Sequence, residues 1–146
     1  MPEKETIERA RKDKREGKAA STQAGEFVRE EIEHIREGKH GARSTKQAIA
    51  IGLSKARRAG VDLPPSQNSS EETKEQAERD LKRAGKKPSK RRSRATSKAL
   101  KKEGHSAASK QALSRQAHAA AKKRSAASRS RSAKKAAQTR KKSRKK

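Results

Sequence analysis

The sequence has no cysteine, no tryptophan and no tyrosine, and only one phenylalanine. Without cysteine it can form no disulfide, no thiolate zinc knuckle and no thiol nucleophile. Without the large aromatics it has little apolar surface to bury. Hydrophobic residues make up 27% of the chain, and many are alanine. No apolar run approaches the roughly 20 residues that cross a membrane. The opening stretch, MPEKETIERARKDKREGK, lacks the apolar heart of a signal peptide. Acids are also scarce: 17 Asp and Glu stand against 43 Lys and Arg, a net charge of +26. The expected location is the cytoplasm, in association with the nucleoid.

What is present is unevenly spread. The first 85 residues carry 19 basic and 16 acidic groups, whereas residues 86–146 carry 24 bases and a single acid, Glu103. Nearly all the net charge therefore lies in the last 61 residues. The abundant polyanion that compensates such a segment is nucleic acid. With 41% charged residues, the chain falls on the disordered side of the charge–hydropathy balance.

The larger apolar residues concentrate between positions 27 and 63, so only that stretch predicts a core, and a small one. Residues 1–20 carry charges of both signs, with Ile7 and Ala10 as the apolar spots, and predict at most a solvated helix. Residues 21–63 predict a short antiparallel helical hairpin. Its first helix is capped at Ser21 or Thr22 and ends at Gly38. Val28, Ile32 and Ile35 form one apolar stripe at i, i+4, i+7, with Phe27 beside it. After the GKHG turn (38–41), Ser44 and Gln47 have capping-box spacing. The second helix, 45–59, carries Ala48, Ile49, Gly52, Leu53 and Ala56 on one face. Gly60 and the VDLPP segment (61–65) end it. Residues 64–85 read as a polar linker helix with a capping box at Ser69 and Glu72, and solvation is favoured over packing. Residues 86–146 are a Lys/Arg/Ala/Ser-rich tail, expected to be disordered alone and helical on a polyanion. Within it SAASKQALSRQA (106–117) is echoed by SAASRSRSAKKA (125–136). The fold class is mostly α with extensive disorder.

The hairpin sequence EFVREEIEHIREGKHGARSTKQAIAIGLSKARRAG (26–60) resembles a family of small bacterial proteins whose conserved domain has no assigned function. The resemblance rests on Lys46, Gln47, Ala48, Ile49, Ala50, Ile51, Gly52, Leu53 and Ser54, with Ala56, Arg57 and Gly60. It departs at Lys55, where the family more often has an acid. The resemblance implies a helical fold and little about function. The tail is similar in composition to linker-histone and bacterial histone-like tails.

The predicted nucleic-acid contacts are the tail bases: Lys86, Lys87, Lys90, Arg91, Arg92, Arg94, Lys98, Lys101, Lys102, Lys110, Arg115, Lys122, Lys123, Arg124, Arg129, Arg131, Lys134, Lys135, Arg140, Lys141, Lys142, Arg144, Lys145 and Lys146. A duplex offers one charge per roughly 1.7 Å of axis, so these bases match about a dozen base pairs. Phosphate contacts position a protein without reading sequence. No aromatic is interleaved to stack on single strands. DNA is therefore the expected partner, with RNA or the ribosome as the alternative polymer. In the hairpin, Lys39, Arg43, Lys46, Lys55, Arg57 and Arg58 would reach phosphates if the pair were a helix-turn-helix reader. The plainer reading is a packing unit whose apolar stripes pair copies of the chain. A stress or plasmid-maintenance role through protein contacts of the hairpin is a further alternative.

No catalytic site is expected. Glu30, Glu31 and Glu33 have no predicted pocket around them, and no Ser/His/Asp set sits in a foldable frame. GKHGARS lacks the spacing and preceding strand of a phosphate loop. Four histidines occur: His34, His40, His105 and His118. His34 and His40 are six residues apart across Gly38, a spacing that predicts no shared face and hence no metal site. No cofactor or small-molecule substrate is expected, and no membrane partner.

Overall fold

A computed structural model describes residues 2–145. Seven α-helices and one 3₁₀ turn occur among the described residues, and no strand. The helices are α1 (Lys4–Arg15), α2 (Ala20–Arg36), α3 (Thr45–Arg58), α4 (Glu71–Lys82), α5 (Lys90–Leu100), α6 (Lys110–Lys122) and α7 (Ala126–Arg144). The 3₁₀ turn is Ser106–Ala108. Two compact units result, one ending at Ser109 and the other beginning at Lys110.

In the first unit α2 is central. It packs on α3 and α1, and α4 lies on α3. Scarcity of large side chains dictates how. Ala10, Ala24, Phe27, Ala56 and Val61 form the buried cluster, with Ile7, Ala20, Leu53 and Leu63 half-buried around it. Phe27 is 1% exposed and anchors that cluster. Alanines and a glycine let backbones approach closely. A Cβ on Gly52 of α3 would lie 2.6 Å from the Cα of Val28 on α2.

Helix ends follow local chemistry, with two shifts from expectation. Ser44 caps α3 by accepting from the Gln47 amide at 3.2 Å. Gln47 Oε1 returns to the amide of Arg43, one residue before the cap, at 2.7 Å. At α4 the cap is Ser70, not Ser69, accepting from Thr73 N. At α2 neither Ser21 nor Thr22 caps. The helix already starts at Ala20, behind Ala19, with no side-chain cap. Gly38 (φ 78°) and Gly60 (φ 100°) take the left-handed conformation that ends α2 and α3.

Three expectations are corrected. The segment 1–20 is not merely solvated: α1 packs on α2, burying Thr6 and Ala10. Its Arg9 Nε donates to Glu26 on α2 at 2.8 Å. Helix α4 is not a solvated linker: Asp80 is 1% exposed. It accepts from Ser54 Oγ at 2.7 Å, Arg58 Nε at 2.9 Å and Gln76 Nε2 at 3.2 Å. Polar sequence hid this docking because its attachment is a buried carboxylate. The extensive disorder expected of residues 86–146 is replaced by helices α5, α6 and α7.

The start of the basic segment is also built into the first unit. The connection between α2 and α3 donates to its carbonyls. Gly41 N donates to Leu100 O at 2.9 Å, and Ala42 N to Gly104 O at 3.0 Å. Thr45 Oγ1 donates to Ala107 O at 2.7 Å, and Arg36 Nε to Ala108 O at 2.9 Å. A side chain at Gly41 would collide with the Glu103 backbone. Ala107 and Ala108 are buried there, in the turn that packs on α2 and α3.

Gly25 and Gly52 both lie inside helices, but only Gly52 meets a neighbour. Gly25→Ala should stabilise by about 0.5–1 kcal/mol through helix propensity. Gly52→Ala should destabilise by about 1–2 kcal/mol, because overpacking outweighs that gain. Urea unfolding of the two variants measures the difference. Asp80→Ala, which strands Arg58, should cost about 3 kcal/mol. Hydrogen exchange should then quicken in α4 while α2 stays protected.

Candidate nucleic-acid interface

The bases of the tail are carried on helices whose formation has local causes. Ser89 caps α5 by accepting from Arg92 N at 3.2 Å, and Ser125 caps α7 by accepting from Ser128 N at 3.1 Å. Ala, Lys, Arg and Gln, the bulk of these helices, are strong helix formers. Lys141, Lys142 and Arg144 occupy the last turn of α7, where cations suit the helix dipole. Arg124 reaches forward to the Ser128 carbonyl at 3.1 Å and so braces the first turn. These terms offset the like-charge repulsion that predicted disorder.

Every tail base from Lys86 to Lys145 expected to meet phosphate is exposed, and Lys146 lies outside the described residues. Helices α5, α6 and α7 have no buried residue. The second unit is the more extreme: residues 110–146 carry 15 Lys and Arg and no acid.

The hairpin bases behave differently. Lys55 pairs with Glu31, and Arg58 with Asp80. Arg57 is buried and donates from Nε to Leu63 O at 2.8 Å; burial pulls its guanidinium pKa down. Lys39 pairs with Glu3 at 3.4 Å and Glu37 at 3.2 Å. Arg43 and Lys46 remain exposed. Four of these six hairpin bases are thus engaged within the first unit.

A second feature lies beside α2. Glu30 and Glu31 are 2% and 0% exposed. Glu30 Oε1 accepts from the Glu3 amide at 2.8 Å, while Glu30 Oε2 is buried with no hydrogen-bond partner. Glu31 Oε1 accepts from Lys55. His40 Nε2 stands 3.2 Å from Glu31 Oε2, but off the hydrogen-bond direction, so that oxygen too is unsatisfied. His34 Nε2 is 3.0 Å from Glu3 Oε1. The His34 hydrogen bond, and then Lys39, hold the Glu3 carboxyl below the usual carboxylate range. The two imidazoles meet edge to face with centroids 6.1 Å apart.

This corrects the expectation that His34 and His40 share no face. Gly38 in the left-handed region turns the chain back, and His40 returns to the face of α2 that bears Glu31 and His34. For Glu31, though not for Glu30 or Glu33, it also corrects the expectation of no pocket. A cleft of about 730 Å³ is lined by Glu31, His40 and Lys55 together with Ile7, Ile51 and Leu100. The available signal was the i, i+3 spacing of Glu31 and His34 followed by a helix-stopping glycine.

Residues 11–67 match the model of a family of unknown function (DUF6496). The match takes in α2, α3 and the Glu31–His34–His40 cluster, and ends before α4 and the basic helices. No curated protein and no solved structure matches the chain. No helix among the described residues is long and apolar enough to cross a membrane.

If repulsion between bases is what limits α7, screening should strengthen it. Raising salt from about 0.01 M to about 1 M shortens the Debye length from about 30 Å to about 3 Å. The far-UV circular dichroism of the full chain should become more helical over that range.

Proposed function

We propose that this chain is a non-enzymatic protein that binds DNA through its phosphates without sequence preference, in the manner of histone-like, nucleoid-associated proteins. One observation carries the reading: a 37-residue unit, 110–146, with 15 bases, no acid and no buried helical residue. Such a surface has no core to serve and no internal partner for its charge. Helix α7 is 19 residues long, or roughly 28 Å at 1.5 Å per residue. It carries eight bases, one per about 3.6 Å, against one phosphate charge per about 1.7 Å of duplex axis. A helix so charged can lie along a duplex and release counterions along most of its length.

The absence of Phe, Tyr and Trp from residues 86–146 argues for duplex over single strands, which are held by stacking. Bidentate base reading needs side chains positioned by a rigid frame. The long bases here are exposed on every side, which favours phosphate contacts over base contacts. Chain continuity with the first unit would tether the basic helices to a compact body. The tail's compositional similarity to histone-like tails agrees with this reading.

Titrating the full chain against duplexes of unrelated sequence at several salt concentrations tests it. Log affinity should fall linearly with log salt, with a slope of about −0.9 per phosphate neutralised, and equally for all the duplexes. Replacing Lys134, Lys135, Lys141 and Lys142 by Gln preserves helix propensity and should flatten the slope by about one for each phosphate left without its lysine. Marked preference for one duplex, or affinity indifferent to salt, would overturn the proposal. Tighter binding to ribosomal RNA than to duplex DNA would transfer it to the other polymer.

A further inference from the structure

We propose that Glu31, His34 and His40 form a binding site for a divalent transition-metal ion of the zinc class, independent of the basic helices. One carboxylate oxygen of Glu31 and one ring nitrogen from each histidine lie within 4.8 Å of one another.

The hydrogen bonds leave donors where a cation would need them. His40 Nδ1 is 3.0 Å from the carbonyl of Gly41. A carbonyl can only accept, so Nδ1 carries the proton and Nε2 faces Glu31 Oε2. Orientation of a ligating imidazole by a backbone carbonyl on its far nitrogen is the usual support of a metal-bound histidine. Glu31 Oε2 is fully buried and has no hydrogen-bond partner, because His40 is misaligned for one. Glu31 Oε2 and His40 Nε2, 3.2 Å apart with no hydrogen bond between them, are close enough to share one cation. Ligand atoms at about 2.0–2.2 Å from a tetrahedral zinc lie about 3.3–3.6 Å from each other, so the pair needs to open by only a few tenths of an ångström. A ring nitrogen of His34, within 4.8 Å of the other two atoms, is the third donor.

The donor set names the ion class. Two imidazoles and one carboxylate, with no thiolate, suit zinc and its first-row neighbours better than calcium or magnesium, which prefer all-oxygen shells. Glu31 and His40 are among the residues that line the cleft beside α2. Lys55 holds the other oxygen of Glu31 and fixes the carboxylate's orientation. Glu3 and Glu30 make a second three-donor group with His34. That group is the weaker candidate, because Glu3 is exposed and already paired with His34 and Lys39.

The test is calorimetric titration of the chelator-stripped full chain with Zn²⁺ alone. One equivalent should bind, and His105→Ala/His118→Ala should bind as the parent does. His40→Ala and His34→Ala should each weaken binding at least tenfold, about the loss seen when even an outer-shell partner is removed. Nitrogen-15 spectra of the unaltered protein give a reading that needs no variant. The ring nitrogens of His34 and His40 should shift with Zn²⁺ while those of His105 and His118 stay. No saturable binding, or binding carried by His105 and His118, overturns the proposal.

Discussion

A shortage of large apolar side chains governs the first unit. With one aromatic residue in the chain, helices cannot be held apart on interlocking bulky side chains and must come close. Gly52 against Val28 and Gly41 against the Glu103 backbone are the consequences. So is the alanine-rich cluster around Phe27. Close backbone approach gains dispersion energy without large side chains, but it tolerates no added volume.

Hydrogen bonds and ion pairs supply what apolar burial does not. Asp80 ties α4 to α3, Glu26 ties α1 to α2, and Glu30 receives the amide at the head of α1. These carboxylates are buried or half-buried, where effective dielectric is low and a matched partner counts for more than at the surface. The same arrangement sorts charge. Asp80, Glu26 and Glu31 pair with cations of the same unit, and the bases from Lys110 onward have no acid within their own unit to meet. A compact body that holds every carboxylate side chain and a cationic helical unit that holds none are therefore two outcomes of one uneven distribution of carboxylates.

Much of the helical layout was legible because it depends on neighbours in sequence. The stripe of Val28, Ile32 and Ile35, the Ser44 cap and the stops at Gly38 and Gly60 all belong to that class. The misreadings share a different cause. Residues 71–82 look solvated, since nothing local reveals that Asp80 will meet Ser54 and Arg58, which lie 26 and 22 residues away. Residues 100–108 look like tail, since their ties are carbonyls that any sequence could present. Repulsion among bases was weighed above the caps and propensities that make α5 and α7 helical.

The sequence alone determined the helical class, the places where α2 and α3 stop and the cationic character of the second half. Each is a property of composition or of residues within a turn or two of one another. Tertiary structure alone decided that Glu30 and Glu31 would be buried, that His40 would swing back beside Glu31, and that α4 would dock. Burial and convergence depend on which distant backbone arrives at a given face, and no spacing along the chain encodes that arrival.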